Sequence, residues 1–288
     1  MGAISQHAQA WTEFWHDQRD AIGCCARAPE IQAPIIGHWS AFARSLAAGS
    51  NVLDLACGAG AAGQALVSAS ASLRITGVDF AVVPLCSDPR VEILSATRME
   101  SLPFSDNSFD GAISQFGFEY GRIEDASREL ARVLRPGAPI SFLVHHAGAR
   151  IATDSIAHRG ALEAICGAEL EAAFRSGSSI ALDRQLGLIR HQYPHQRIID
   201  EAAEGLRRHI GFPPAHRREI WQAVKAALAP ELVMLADLEA ASVSPEQMPR
   251  WLQLQAWGFD LQPPSVLMMT NGQPLCWKVE GIRRAILH

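Results

Sequence analysis

The sequence predicts an α/β fold: a doubly wound sheet of seven strands, mostly parallel with the last one antiparallel. N-terminal helices precede it, and a helical cap is inserted after strand five. Three observations carry this expectation. Between residues 51 and 146, short apolar runs are separated by helix-like stretches, the rhythm of a parallel sheet covered on both faces. A glycine-rich turn, residues 58–63, joins the first apolar run to an Ala-rich stretch. Residues 147–243 then read as helices without a strong strand signal, and the α/β rhythm returns after them.

In residues 1–48, Ser5 is a candidate cap for a helix carrying Ala8, Trp11, Phe14 and Trp15 at spacings of one to four. Pro29 opens a second helix with Ile31, Ile35, Ile36, Trp39, Phe42 and Leu46 on one side, ended by Gly49-Ser50. These aromatic residues are expected either to pack in a core or to close over a ligand. Asn51–Ala56 reads as a buried strand, Gly60–Ser70 as a helix, Leu73–Asp79 as a second strand, Val91–Leu94 as a third and Asp110–Ser114 as a fourth. Ile123–Leu134 has a helical apolar pattern stopped by Arg135-Pro136-Gly137, and Pro139–His146 is the fifth strand.

In the cap, helices are expected over Ser155–Phe174, Ile198–Ile210 and Ala215–Leu228. Ser244-Pro245-Glu246-Gln247 has capping-box spacing for a helix reaching about Trp257-Gly258. Ser265–Thr270 and Leu275–Glu280, split by Asn271-Gly272, suggest a closing antiparallel pair. The domains expected are N-terminal helices (1–48), a core (49–146 and 244–288) and a cap (147–243).

Composition narrows the function. The 288 residues are 48% hydrophobic and 19% charged, enough to bury a sizeable core. A net charge of −5 argues against a nucleic-acid partner held by phosphate neutralisation. No run reaches the roughly 18–20 apolar residues of a membrane span. The first twenty residues, with Gln6, Glu13, His16, Asp17 and Arg19, lack the apolar stretch of a signal peptide. A cytoplasmic location is expected, with reduced thiols: the cysteines at 24, 25, 57, 86, 166 and 276 form no ligand spacing, and no metal site is expected. His191 and His195 have the spacing of a helical metal pair, but Tyr193-Pro194 between them favours a loop.

The turn over 58–63 is the most informative segment. Gly58, Gly60 and Gly63 allow a sharp bend and close approach of a ligand, and the following helix start offers unpaired N–H groups. By letter it fits the dinucleotide pattern G-x-G-x-x-G, with Asp79 at the ribose spacing, so an NAD(P) oxidoreductase is one reading. Asp54, inside the strand, argues otherwise: a carboxylate there suits a cationic ligand and repels a pyrophosphate.

Four segments in order resemble the class I S-adenosylmethionine-dependent methyltransferases, closest in style to the ubiquinone/menaquinone-biosynthesis group. VLDLACGAG (52–60) looks like the family's first motif and TGVDF (76–80) like its second. MESLPFSDNSFDGAISQFGFEY (99–120) and ARVLRPGAPISFLV (131–144) are similar to the stretches around strands three to five. The resemblance implies a Rossmann-like core that binds S-adenosylmethionine and moves its methyl group. Asp54, Ala56, Gly58 and Gly60 would hold the methionine end. Asp79 would bind the ribose hydroxyls and Phe80 would pack on adenine. Arg98 and Met99 stand where the family touches the adenine edge. Gln115 and Phe116, past strand four, would lie near the reactive sulfur. Ala56 replaces the motif's first glycine. Arg98 replaces a usual carboxylate and, having donors only, cannot accept from the adenine amino group.

The acceptor is expected beyond the carboxyl ends of strands four and five. Methyl transfer from a sulfonium mainly requires orientation and exclusion of water. A base is needed only for a protonated nucleophile, and His145, His146 and Glu119 are the candidates. A small or medium organic acceptor is expected, since a long inserted cap suits enclosure. A macromolecular acceptor such as a protein, and a non-enzymatic sensor that only binds the cofactor, are the other readings.

Overall fold

The computed structural model describes residues 6–17 and 28–285. The proposed Ser5 cap and the adjacent Cys24 and Cys25 lie outside them. In chain order the elements are α1 (Gln6–Asp17), α2 (Pro29–Ser45), β1 (Asn51–Leu55), α3 (Ala61–Ala69), β2 (Arg74–Val78), β3 (Val91–Leu94) and β4 (Gly111–Gln115). A 3-10 turn, Phe118–Tyr120, leads to α4 (Ile123–Val133) and β5 (Pro139–His145). After α5 (Arg150–Ile165), α6 (Ala168–Ser176), α7 (Ser179–Gln192), α8 (Arg197–His209) and α9 (Pro214–Ala241), a second 3-10 turn (Met248–Leu252) joins α10 (Gln253–Ala256). Then come β6 (Phe259–Leu261), β7 (Ser265–Met268) and β8 (Pro274–Arg283). No helix among the described residues is long and apolar enough to cross a membrane.

The strands form one sheet in the order β3-β2-β1-β4-β5-β8-β6, with β7 paired to β8 as well. β1 to β5 are parallel, and β8 runs antiparallel to β5. The doubly wound fold is therefore as expected, with one strand more than the seven predicted. The extra strand follows from the length of β8. Its end pairs with β6 (Leu261 opposite Gly281) and its beginning with β7 (Ser265 opposite Lys278). β6 has three residues, too short for an alternating pattern. β8 alone runs against the rest of the sheet, and the one strand expected beside it becomes two, β6 and β7, each antiparallel to it.

One further expectation is corrected, the helix over 244–257. The segments 79–90 and 95–110, to which the sequence assigned no element, are two irregular crossovers. The second is fastened by Arg132 of α4, whose guanidinium donates to the carbonyls of Leu102 and Phe104 and pairs with Asp106 and Glu129. The helix expected over 244–257 shrinks to the 3-10 turn and α10. Half of the capping box forms: the Gln247 side chain accepts from the Ser244 N–H at 3.0 Å, while the Ser244 hydroxyl goes to Glu246.

Alternation along β1 sends side chains to both faces. Val52, with Ile113 and Leu143, packs under Ile35, Trp39 and Phe42 of α2 and Leu66 of α3. Leu53 and Leu55, with Ala112 and Phe142, pack under Leu130 and Val133 of α4 and under Trp251. Asp54 follows Val52's parity, toward α2 and α3. The chain turns from β1 to β2 and β3 on one side, then to β4 and β5 on the other, so the sheet's switch point lies between β1 and β4. Ligands in such sheets bind past the carboxyl ends there.

Residues 153–239 form a separate compact unit. Its core is helical: Leu170 and Phe174 of α6, Leu182, Leu186 and Ile189 of α7, Ile199 and Leu206 of α8, and Trp221 of α9. The helix expected over 155–174 breaks at Cys166-Gly167. α7 is an addition, begun by Ser178, whose hydroxyl accepts from the Ala181 N–H at 3.2 Å. It stops at Gln192, before the expected Tyr193-Pro194 loop, and His195 has φ +72°.

Candidate functional site

The turn after β1 is built from backbone that favours glycine. Ala56 (φ +52°), Gly58 (φ +51°) and Gly60 (φ +81°) all lie in the left-handed region. A Cβ at Gly58 would lie 2.3 Å from the Trp15 ring, so the first motif's glycine is also the seat of an indole from α1. Ala56 alone among the three carries a side chain, at a cost of roughly 1–2 kcal/mol. Its Cβ faces Gly117, where an added Cβ would approach to 2.4 Å. Ala56→Gly is therefore expected to leave the fold intact and raise stability by about 0.5–1 kcal/mol, after the greater freedom of glycine in the unfolded chain is subtracted. Thermal denaturation checks this; a fall in midpoint would contradict the strain.

Asp54 sits beneath this turn, 1% exposed. Neither carboxylate oxygen reaches a donor in regular hydrogen-bond geometry among the described residues. Burial raises its pKa to about 8, partly offset by the nearby backbone N–H of Gly63 at the start of α3 and reinforced by the charge of Asp79. Asp79, at the end of β2, is 4% exposed but satisfied differently. One of its oxygens accepts from the Gly58 N–H at 2.8 Å, the other from the Ala81 N–H at 2.9 Å. Its pKa rises to about 6, burial outweighing those two bonds. It ties the glycine turn to β2 and keeps lone pairs for further donors. Cys57, in the same turn, is held protonated by burial and by both carboxylates, so it is no thiolate nucleophile.

A cavity of about 30 Å³ lies at the switch point, lined by Trp11, Trp15, Asp54, Ala56, Gln115 and Phe116 among others. With α1 laid over the turn it has room for little more than one water. α1 is fastened there by Thr12, whose hydroxyl accepts from the Val82 N–H at 3.0 Å. Trp11 meets Tyr120 edge-on at 5.3 Å. Gln115 ends β4, and its Oε1 accepts from the Trp39 indole at 2.6 Å. Phe116 follows in left-handed backbone, φ +56°, with its ring 4.6 Å from that of His145. A bulky residue in that conformation is held by its surroundings.

The structure brings Glu119 and His145 together and sets His146 apart. Glu119 Oε1 accepts from both the backbone N–H and Nδ1 of His145, each at 2.8 Å. Both side chains are 1% exposed. A carboxylate on Nδ1 fixes the tautomer and leaves the neutral ring's lone pair on Nε2. His146 instead stacks on Trp277 at 4.6 Å, and its Nδ1 accepts from the Gly148 N–H. Arg98 is exposed and faces Glu100 at 3.5 Å, while Met99 packs against the α4-side core. Phe80 is half-buried directly after Asp79. Of the two readings of the N-terminal aromatic residues, Trp15 and Trp39 lie against the turn and β4; Thr12 carried no signal, and only the fold sets these three against Gly58, Gln115 and Val82.

Comparison with known proteins agrees with the motifs. Residues 53–142 match the family model described as a methyltransferase domain. The resemblance to class I S-adenosylmethionine-dependent methyltransferases therefore holds over the segment that carries it. The chain is 31% identical over 122 residues to a 2-phytyl-1,4-naphtoquinone methyltransferase of Synechocystis, covering 38% of this chain and 51% of that protein. It is 37% identical over 95 residues to a demethylmenaquinone methyltransferase of Corynebacterium kroppenstedtii, covering 32% and 41%. A tRNA (carboxymethyluridine(34)-5-O)-methyltransferase of Arabidopsis thaliana is 31% identical over 153 residues, covering 50% and 35%. The chain thus spans about half, or less, of the length of these relatives. Among solved structures, the Burkholderia thailandensis 1,6-didemethyltoxoflavin-N1-methyltransferase, bound to 1,6-didemethyltoxoflavin and S-adenosylhomocysteine, shares the fold. Its TM-score is 0.50 at 12% identity, over 99% of this chain and 92% of that one.

Proposed function

We propose that this chain, which carries a class I S-adenosylmethionine-dependent methyltransferase domain over residues 53–142, transfers the cofactor's methyl group to a small or medium organic acceptor. The observation that carries the reading is the buried carboxylate of Asp54 at the glycine turn, with no donor in regular hydrogen-bond geometry among the described residues. A buried acid is stabilised by a cation and destabilised by a diphosphate. The cofactor's ammonium and sulfonium fit it, and an NAD(P) pyrophosphate does not.

In this reading Asp54 and the turn from Ala56 to Gly60 hold the amino-acid end. Asp79 takes the ribose hydroxyls on its remaining lone pairs, and Phe80 packs on the adenine. Loading requires the Trp15 indole to leave Gly58, because about 30 Å³ does not hold a nucleoside. When bound, the cofactor supplies an electrophilic methyl group on a good leaving group. The protein's own work is to orient the acceptor, exclude water and, for a protonated nucleophile, remove a proton. We assign that last role to His145, poised by Glu119; His146, turned to Trp277, is not retained. Asp79→Asn is expected to weaken S-adenosylhomocysteine binding by about 1–3 kcal/mol, since it degrades charge-assisted hydrogen bonds. Calorimetric titration checks this, and an unchanged affinity would remove Asp79 from the site.

The inserted unit, residues 153–239, is assigned to acceptor recognition. The chain leaves and re-enters the sheet domain at one place: the Val243 N–H donates to the His145 carbonyl at 2.9 Å and the Ala147 N–H to the Val243 carbonyl at 3.1 Å. Replacing 153–239 by a short Gly-Ser linker should therefore preserve S-adenosylhomocysteine affinity and abolish methyl transfer. Loss of both together would count against the assignment. Acceptor class is tested with the labelled methyl donor on extract split by size. Label in the small-molecule fraction is expected; label confined to protein or RNA would place the acceptor among macromolecules, as in the tRNA-modifying relative.

A further inference from the structure

We propose that Trp39 is a positioning residue that locks Gln115 as a hydrogen-bond donor to the carboxylate of the cofactor's amino-acid end. This rests on the cofactor reading above and goes beyond it by assigning the second charge of the zwitterion.

The indole N–H is a donor and nothing else. Trp39 Nε1 lies 2.6 Å from Oε1 of Gln115, a short bond with both groups at the carboxyl end of β4. An amide's two ends are otherwise hard to tell apart, but a donor-only partner decides the matter: Gln115 must give Trp39 its oxygen. The Nε2 group, with two donors, is then the end left for the cavity that Gln115 lines. Trp39 is unable to drift. It is fully buried on α2, edge-on to His38 at 4.7 Å and to Phe42 at 6.4 Å. His38 is in turn bonded through Nε2 to the Ser141 hydroxyl of β5 at 2.8 Å.

The cavity is therefore bipolar. Asp54 offers two acceptor oxygens, neither in regular hydrogen-bond geometry with a donor among the described residues, which suits an ammonium. Gln115 offers amide donors, which suit a carboxylate. Cys57 points its thiol back to the Gly58 carbonyl at 3.5 Å and contributes no donor of that strength. An α-amino acid carries both complementary groups on one carbon. If Gln115 were free to rotate, half of its orientations would present the oxygen and repel the carboxylate. The indole removes that alternative before the ligand arrives, which is the use of preorganisation.

The test compares three ligands by calorimetry: S-adenosylhomocysteine, its decarboxylated analogue, and methylthioadenosine, which lacks the amino-acid end. Wild-type protein is expected to bind S-adenosylhomocysteine about tenfold or more tightly than the decarboxylated analogue, the range of a hydrogen bond to a charged group. Trp39→Phe keeps an aromatic ring while losing the N–H and part of the indole's bulk; Gln115→Leu removes the amide at similar volume and leaves the Trp39 N–H without its acceptor. Each should cost about tenfold on S-adenosylhomocysteine and leave the other two ligands unchanged, with the double variant no worse than either single one. Equal weakening of all three ligands would show that the pair only supports the fold, and an undiminished preference for the carboxylated ligand in Gln115→Leu would hand that group to the helix α3 amides. Either result overturns the inference while the cofactor reading stands. Failure of wild-type protein to bind any of the three would overturn both.

Discussion

Asp54→Asn is expected to stabilise the cofactor-free protein at pH 8 and to abolish most of its affinity for S-adenosylhomocysteine. The two effects have one cause. In the fold the carboxyl group is pushed up to about 8 by burial, from an ordinary value of 3.8. Between those values the folded chain keeps a proton that the unfolded chain has released, so stability declines as pH rises through the interval. Asparagine does not titrate. The variant should match the parent near pH 4 and exceed it by an amount on the order of a few kcal/mol at pH 8. The ligand's ammonium, in contrast, loses a buried charge that offsets its desolvation, at a cost of about 2–5 kcal/mol. For the unmutated protein, binding should strengthen from pH 6 to 8, and near pH 7 it should release up to about one proton per ligand as Asp54 ionises. Titration in buffers of different ionisation enthalpy reads that proton directly. No release, or a variant less stable at pH 8, would show that Asp54 is satisfied in some other way.

The second large effect concerns the Glu119–His145 pair. His145→Gln is expected to slow methyl transfer by roughly 10²–10⁴-fold for an acceptor whose nucleophile carries a proton. Glu119→Gln is the finer probe. Its remaining oxygen is still able to accept from the His145 backbone N–H, so the turn keeps its shape while the imidazolium loses its counter-charge. A smaller loss in rate and an altered pH profile are expected, with S-adenosylhomocysteine affinity unchanged. The assay is label incorporated into the extract fraction that the parent methylates. Rates within twofold of the parent would remove the pair from the chemistry and leave it as a buried polar strut between the turn after β4 and β5.

Most of the turn proposed to hold the cofactor was legible because it is local. The strand, the glycines at 58, 60 and 63 and Asp54 lie within thirteen residues, 51–63, and the glycines answer a need for a sharp bend seen from sequence alone. The doubly wound, mostly parallel sheet followed from the same rhythm. What escaped depends on contacts between distant segments. Glu119 and His145 were both visible as candidates, yet only the register of β4 against β5 makes them a pair. Trp39 and Gln115 are 76 residues apart, and no spacing announces their bond. The irregular crossovers at 79–90 and 95–110 escaped because apolar runs mark strands without saying what joins them. Arg132, the clasp of the second, reads in sequence as an ordinary helix arginine. β6 escaped through brevity. α7 did carry a signal, Leu182, Leu186 and Ile189 at spacings of four and three, diluted by the polar residues between them.

In the proposed function the turn after β1 grips a cationic amino-acid nucleoside and not a diphosphate. A pair of calorimetric titrations of the full chain at pH 8, one with S-adenosylhomocysteine and one with NADPH, decides between the two. Saturable one-to-one heat with the first and none with the second is the predicted outcome. Binding of NADPH with S-adenosylhomocysteine silent would contradict it, and Asp54 would then require another partner.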